Sequence, residues 1–142
     1  MIVQSRRVGK TGRETAVSVG WGLVVPPEGP IRVEPIEADV VAWVRRWTGA
    51  RTVERLRLGA SVIEADSFVW MDEDGRARNL EPNRRAGELV CICSGRRLWS
   101  DQPLVGAVCV TGGDTEDGET RGLEQEDLLA LRQVMGDPGP TG

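Results

Sequence analysis

Any chemistry in this 142-residue chain has to be built without histidine or tyrosine and with a single lysine, Lys10. Serine–histidine and cysteine–histidine nucleophile systems and histidine-ligated metals are thereby excluded. Acid–base or metal work would fall to carboxylates. Asp72, Glu73 and Asp74 stand together, but they lack the further oxygen ligands and terminal glutamate of a calcium loop, so a solvated turn is expected. Asp114, Glu116, Asp117 and Glu119 form a second acidic run, read as solvated charge or as a contact for a basic partner. Gly9, Lys10 and Thr11 match only the end of a phosphate-binding loop. The earlier glycine would fall at Gln4 and no helical pattern follows, which makes them a hairpin turn. Cys91, Cys93 and Cys109 are an odd set in apolar runs and read as buried free thiols, since zinc would need four ligands. The expectation is a protein with no catalytic residues, no metal and no cofactor.

The arginines are the more informative set. Of 18 basic residues 17 are arginine, which suits a GC-rich genome as well as a preference for guanidinium chemistry. Arg76 and Arg78 would project from one side of a strand, and Arg84 and Arg85 directly follow Pro82 and Asn83. Four guanidinium groups could then gather near one edge and fork onto phosphates or carboxylates. The competing reading is an ordinary charged outer face paired with nearby acids. Asn83 is expected to hold the corner after Pro82 through its side chain, with a ligand contact second. The candidate binding set is therefore Arg76, Arg78, Asn83, Arg84 and Arg85. Were the ligand a nucleic acid, Trp70 or Trp99 would be available for stacking. Charge argues against that as a general property: residues 1–100 carry 16 basic and 13 acidic side chains, and residues 101–142 carry 2 and 9.

The elements that would position these groups follow from periodicity. Val17, Val19, Trp21, Leu23 and Val25 alternate with small residues, predicting a strand with one large apolar face and one face on which something packs closely. Residues 2–8 could pair with it as an N-terminal β-hairpin. Residues 31–36 read as a strand whose Pro35 confines it to an edge or a strand end. Asp39 caps a helix in which Val40, Trp43, Val44 and Trp47 recur at helical spacing and Gly49 stops it. Residues 52–58 form a strand, with Val53 out of phase with Leu56 and Leu58, the mark of a bulge or of two-sided burial. Residues 68–71 and 76–80 read as a hairpin across Asp74 and Gly75. Residues 89–93 are apolar throughout, as in a strand covered on both faces. Residues 96–99 and 104–111 are further strands, 112–122 a mobile acidic loop, and 123–135 a helix whose early acids suit its dipole. The fold class is α+β, a mainly antiparallel sheet with two packed helices. In this reading the N-terminal hairpin occupies 1–30, a single domain 31–135 and a disordered tail 136–142.

The stretch around the corner also carries a resemblance. Asp72, Glu73, Asp74 and Gly75, then Leu80, Glu81, Pro82 and Asn83, then the strand at 104–111, resemble the turn, the Leu-x-x-Asn corner and the glycine-containing strand of a family from phages and mobile elements, the domain of unknown function numbered 3846. Residues 39–49 are similar to its first helix and 123–131 to the start of its closing helix, so the likeness spans roughly 31–135. Asp72 stands where asparagine is usual, and Glu124 where a serine or threonine cap is usual. The resemblance implies a phage or mobile-element protein and brings no established activity with it.

No run of residues reaches the roughly 18–20 apolar positions of a membrane span, and no signal segment opens the chain, so a soluble cytoplasmic protein is expected. Its expected function is non-catalytic binding of a host protein or a small anionic ligand, with counter-defence one use for it. A nucleic-acid-binding accessory protein using the arginine cluster is the alternative.

Overall fold

The computed structural model describes residues 18–58, 66–94 and 103–136. The alternating segment forms β1 (Ser18–Val25), which turns through residues 26–31 into β2 (Arg32–Glu37). β1 pairs antiparallel with β2 on one side and with β5 (Val108–Gly112) on the other. β3 (Val53–Arg57) pairs with β4 (Ser67–Asp72) from Val53 opposite Asp72 to Arg57 opposite Phe68, and β4 also pairs with β5. The result is one antiparallel sheet in the order β2-β1-β5-β4-β3. The architecture is α+β, as the periodicities predict, and Pro35 lies on an edge strand. The sequence boundary drawn at residue 30 separates β1 from strands with which it shares this sheet. The strand expected at 2–8 lies outside the described residues.

Helices cover both faces of the sheet. α1 (Val40–Thr48) has the predicted caps: Asp39 Oδ1 accepts from the Ala42 amide at 3.1 Å, and Gly49 closes the helix at φ 75°. It packs on the small-residue face of β1. A Cβ at Gly22 would stand 2.8 Å from the Val110 carbonyl oxygen and 2.9 Å from the Trp43 ring, so the missing side chain makes room for the helix. Trp43 and Val44 join Val24, Ile36, Trp70 and Cys109 in this layer. The opposite face carries Leu23, Val25, Leu58, Val69, Val108 and Val110 under α2 (Arg84–Ser94) and α3 (Gln125–Val134). Val53 is out of phase with Leu56 and Leu58 because β3 is covered on both faces. Val53 packs with α1's layer and the two leucines with the other, while the ladder register stays regular.

Two expected elements are corrected. Residues 89–93 are not a strand but the second half of α2. Five apolar residues in a row do not distinguish strand from helix, whereas Ala86, Leu89, Val90 and Cys93 bury one stripe at helical spacing and leave Ile92 outside. Residues 76–80 do not return as a strand either. β4 already has β3 and β5 on its two sides, and residues 73–79 are a series of turns with Asn79 at φ 60°. The acidic segment after β5 is tied into a small hairpin: Thr115 N donates to Glu119 O at 2.7 Å and Arg121 N to Gly113 O at 2.8 Å. No helix among the described residues is long and apolar enough to cross a membrane.

Candidate functional site

The corner is built by pairing two irregular segments. Asn83 N donates to Leu104 O at 2.8 Å, Gly106 N donates to Glu81 O at 2.7 Å, and Pro82 bridges Val105. Gly106 has φ 77°, and a Cβ there would come within 2.7 Å of Leu80 Cδ1. Glycine is therefore needed for the chain to present its carbonyl inward. Asn83 receives that carbonyl. Its Nδ2 donates to Gly106 O and to Val25 O, each at 2.9 Å, and its Oδ1 accepts from Ala86 N at 3.1 Å. Asn83 is thus the N-cap of α2 and at the same time the tie between the end of β1 and the approach to β5. The expected local bond is present, to Ala86 three residues on, and two further bonds tie the corner to distant segments at Val25 and Gly106. With both amide hydrogens committed and the side chain buried, Asn83 sets the frame of the corner.

The arginines are divided among partners. Arg78 Nη1 donates to Gly49 O at 3.2 Å and pairs with Asp72, whose Oδ1 accepts from Asp74 N at 2.8 Å. It braces the 73–79 turn against the C-terminal end of α1, where the helix dipole favours a cation. Arg85 Nη2 donates to Pro26 O at 2.6 Å. Arg76 is exposed on the turn rather than aligned with Arg78 along a strand. Arg84 is exposed on the first turn of α2, and its side chain makes no hydrogen bond or ion pair among the described residues. Trp70 is not available for stacking: it is buried, its Nε1 donates to Thr111 Oγ1 at 2.8 Å, and the Arg55 guanidinium lies 5.2 Å from its ring. Trp99 lies outside the described residues.

Beside Asn83 the surface opens into a groove of about 790 Å³ between α2, Leu104 and Val134 of α3. Arg84, Glu88, Cys91 and Ile92 line it at the i, i+4, i+7 and i+8 spacing of one helix face. Ile92 is 52% exposed. Sequence reasoning placed Arg84 in the site but missed Glu88, Cys91 and Ile92, because their shared face exists only if 89–93 is helical. The extended period from Ala86 to Cys93 was the signal. The three cysteines, expected as buried free thiols, are free, but the helix leaves Cys91 half-buried, whereas Cys93 and Cys109 are buried and burial raises both their pKa values. On the outer side of the corner Glu81 meets Glu28, and that hydrogen bond, then the neighbour's charge, raises the Glu81 pKa. Among the described residues no group of three or more cysteines, aspartates or glutamates is placed to hold a metal ion.

Compared with family models, curated proteins and solved structures, the chain matches none.

Proposed function

We propose that this is a small non-catalytic binding protein, cytoplasmic and of phage or mobile-element type, that holds a host protein or a small anionic ligand in the groove beside Asn83. The observation that carries the reading is Arg84, an exposed guanidinium at the mouth of a groove lined by Ile92, Leu104 and Val134. Such a group offers a fork to a carboxylate or phosphate while the groove takes the apolar part of the same partner. The residue types support binding over catalysis, since the chain has no histidine or tyrosine and its one lysine is Lys10, far from this corner in sequence. Blocking a host defence protein is one role that such binding would serve.

The test is retention from host lysate on immobilised protein, with proteins and small molecules identified by mass spectrometry. Wild type is expected to retain a partner that both Arg84→Glu and Ile92→Asp lose, while the variants melt as wild type does. A partner held equally by all three, or none at all, overturns the assignment. A nucleic acid retained through Arg84, with affinity falling steeply as salt rises, would replace it with the alternative.

A further inference from the structure

The two edges of the sheet differ in how they would meet a copy of themselves. β3 presents Val53, Glu54, Arg55, Leu56 and Arg57, and β2 presents Arg32, Val33, Glu34, Pro35, Ile36 and Glu37. When two copies of one strand join antiparallel across a two-fold axis, paired side chains share a face of the continuous sheet, so the register is always centred on a residue facing itself. On β3, centring anywhere from 54 to 57 sets glutamate against glutamate or arginine against arginine, and like charges directly opposite destabilise a pair. Centring β2 on Arg32, Glu34 or Glu37 does the same. Centring it on Val33 sets Arg32 of each copy against Glu34 of the other. Among registers centred on 32–37, no other brings opposite charges together.

The surroundings of Val33 suit that register on both faces. On the α1 face, Arg32 Nε lies 2.9 Å from Glu34 Oε2, with the arginine side chain 54% and the glutamate 21% exposed, so an opposite-charge pair stands at the open edge with its arginine free to swing across. On the other face Val33 lines a groove of about 780 Å³ with Trp21, Leu128 and Leu129. Trp21 and Leu129 are 50% and 47% exposed, two large apolar side chains half in water beside an open strand edge. The groove's rim carries both signs, Glu124 and Glu126 with Arg132. A self-complementary contact needs an apolar centre flanked by both signs, whereas a uniformly basic or acidic partner would meet repulsion on part of it. Pro35 supplies no amide hydrogen and, opposite Ile31 in this register, limits the shared ladder to a short central stretch.

We infer that β2 is the contact of a two-fold homodimer, paired antiparallel with β2 of a second copy and centred on Val33, so that two five-stranded sheets become one. None of the residues lining the groove beside Asn83 takes part, and the dimer needs no ligand to form.

Sedimentation velocity of the full chain over a concentration series up to about 1 mM tests the contact. Wild type is expected to be dimeric. Arg32→Glu and Glu34→Arg, each of which turns both cross-copy pairs into like charges, should weaken the dimer about tenfold or more. The combined Arg32→Glu, Glu34→Arg chain should recover it, because the opposite pairs re-form with their roles exchanged. Melting curves report that each variant is folded. Should a charge variant fail to fold, Val33→Cys provides the second measurement: the two copies of residue 33 face each other at the axis, so oxidation is expected to link the chains covalently through them. A monomeric wild type, a dimer that survives both single substitutions, a double variant that stays monomeric, or no cross-link at residue 33 overturns the inference.

Discussion

Asn83 commits its whole side chain to the interior, so replacing it strands the Val25 and Gly106 carbonyls and the Ala86 amide at once. Asn83→Ala is therefore expected to cost about 2–4 kcal/mol, the sum of a lost cap and unpaired buried groups. Asn83→Asp keeps the cap but aims an oxygen at two carbonyls, and it should do no better. Arg84→Ala should stay within about 0.5 kcal/mol of wild type. Urea midpoints of the three variants decide, and an Asn83→Ala protein as stable as wild type removes the lock. A thiol reagent should titrate Cys91 rapidly in the native protein and reach Cys93 and Cys109 only on unfolding, because burial suppresses their thiolates. Three thiols reacting at one rate would contradict the packing. The Glu28–Glu81 contact carries a pH dependence of definite sign. The raised Glu81 pKa means that its uncharged form is favoured in the fold. The contact therefore stabilises below the ordinary carboxylate range and is lost as pH rises through the raised value. A side-chain NMR titration should place Glu81 above the ordinary glutamate value, and Glu28→Gln should bring it down.

At the scale of elements, the three helices among the described residues are not all started in the same way. α1 and α2 have side-chain caps from Asp39 and Asn83, whereas Glu124 stands at the N-cap of α3 without a capping bond. Glu124→Ser would supply that bond and is expected to stabilise the protein by about 0.5–1 kcal/mol, visible as a higher melting temperature. An unchanged or lower melting temperature would mean that the charge at 124 already offsets the missing bond. The hairpin after β5 is held from outside as well as within: Arg55 forks onto Asp114 with two bonds of 2.9 Å while its guanidinium lies 3.9 Å from the Phe68 ring centre. A segment whose composition suggests mobility is thus fastened to the far edge of the sheet.

At the scale of the whole molecule, β5 is the central strand of the sheet, lying between β1 and β4 and buried at all five positions. Its amides should exchange only with global unfolding, while those of the edge strands β2 and β3 exchange through local opening. Native-state hydrogen exchange reads this directly, and β5 amides exchanging as fast as those of β3 would refute the layering. The two edges also divide the tasks of a small protein. The charges of β3 exclude self-pairing in every register centred on 54–57, while β2 retains one that is matched.

Signals that act over a few residues were complete in the sequence. The alternation along β1 required a close packing partner on its small face, and Trp43 supplies it at Gly22. Asp39 and Gly49 bounded α1, Pro35 placed β2 at an edge, and the acidic start and apolar stripe of 123–135 marked α3. Asn83 was recognised as a lock, but not what it locks. Its partner Val25 is 58 residues away, and the Pro26 carbonyl that takes Arg85 is 59 away. Such contacts arise only after strand pairing has decided which carbonyls face the corner. The same pairing made residues 76–80 a turn, since β4 had no free side left, and made 89–93 a helix, since the sheet offered that stripe a face rather than an edge. Where the arginines point was settled by tertiary structure: a guanidinium goes to the carbonyl or carboxylate that folding brings within reach.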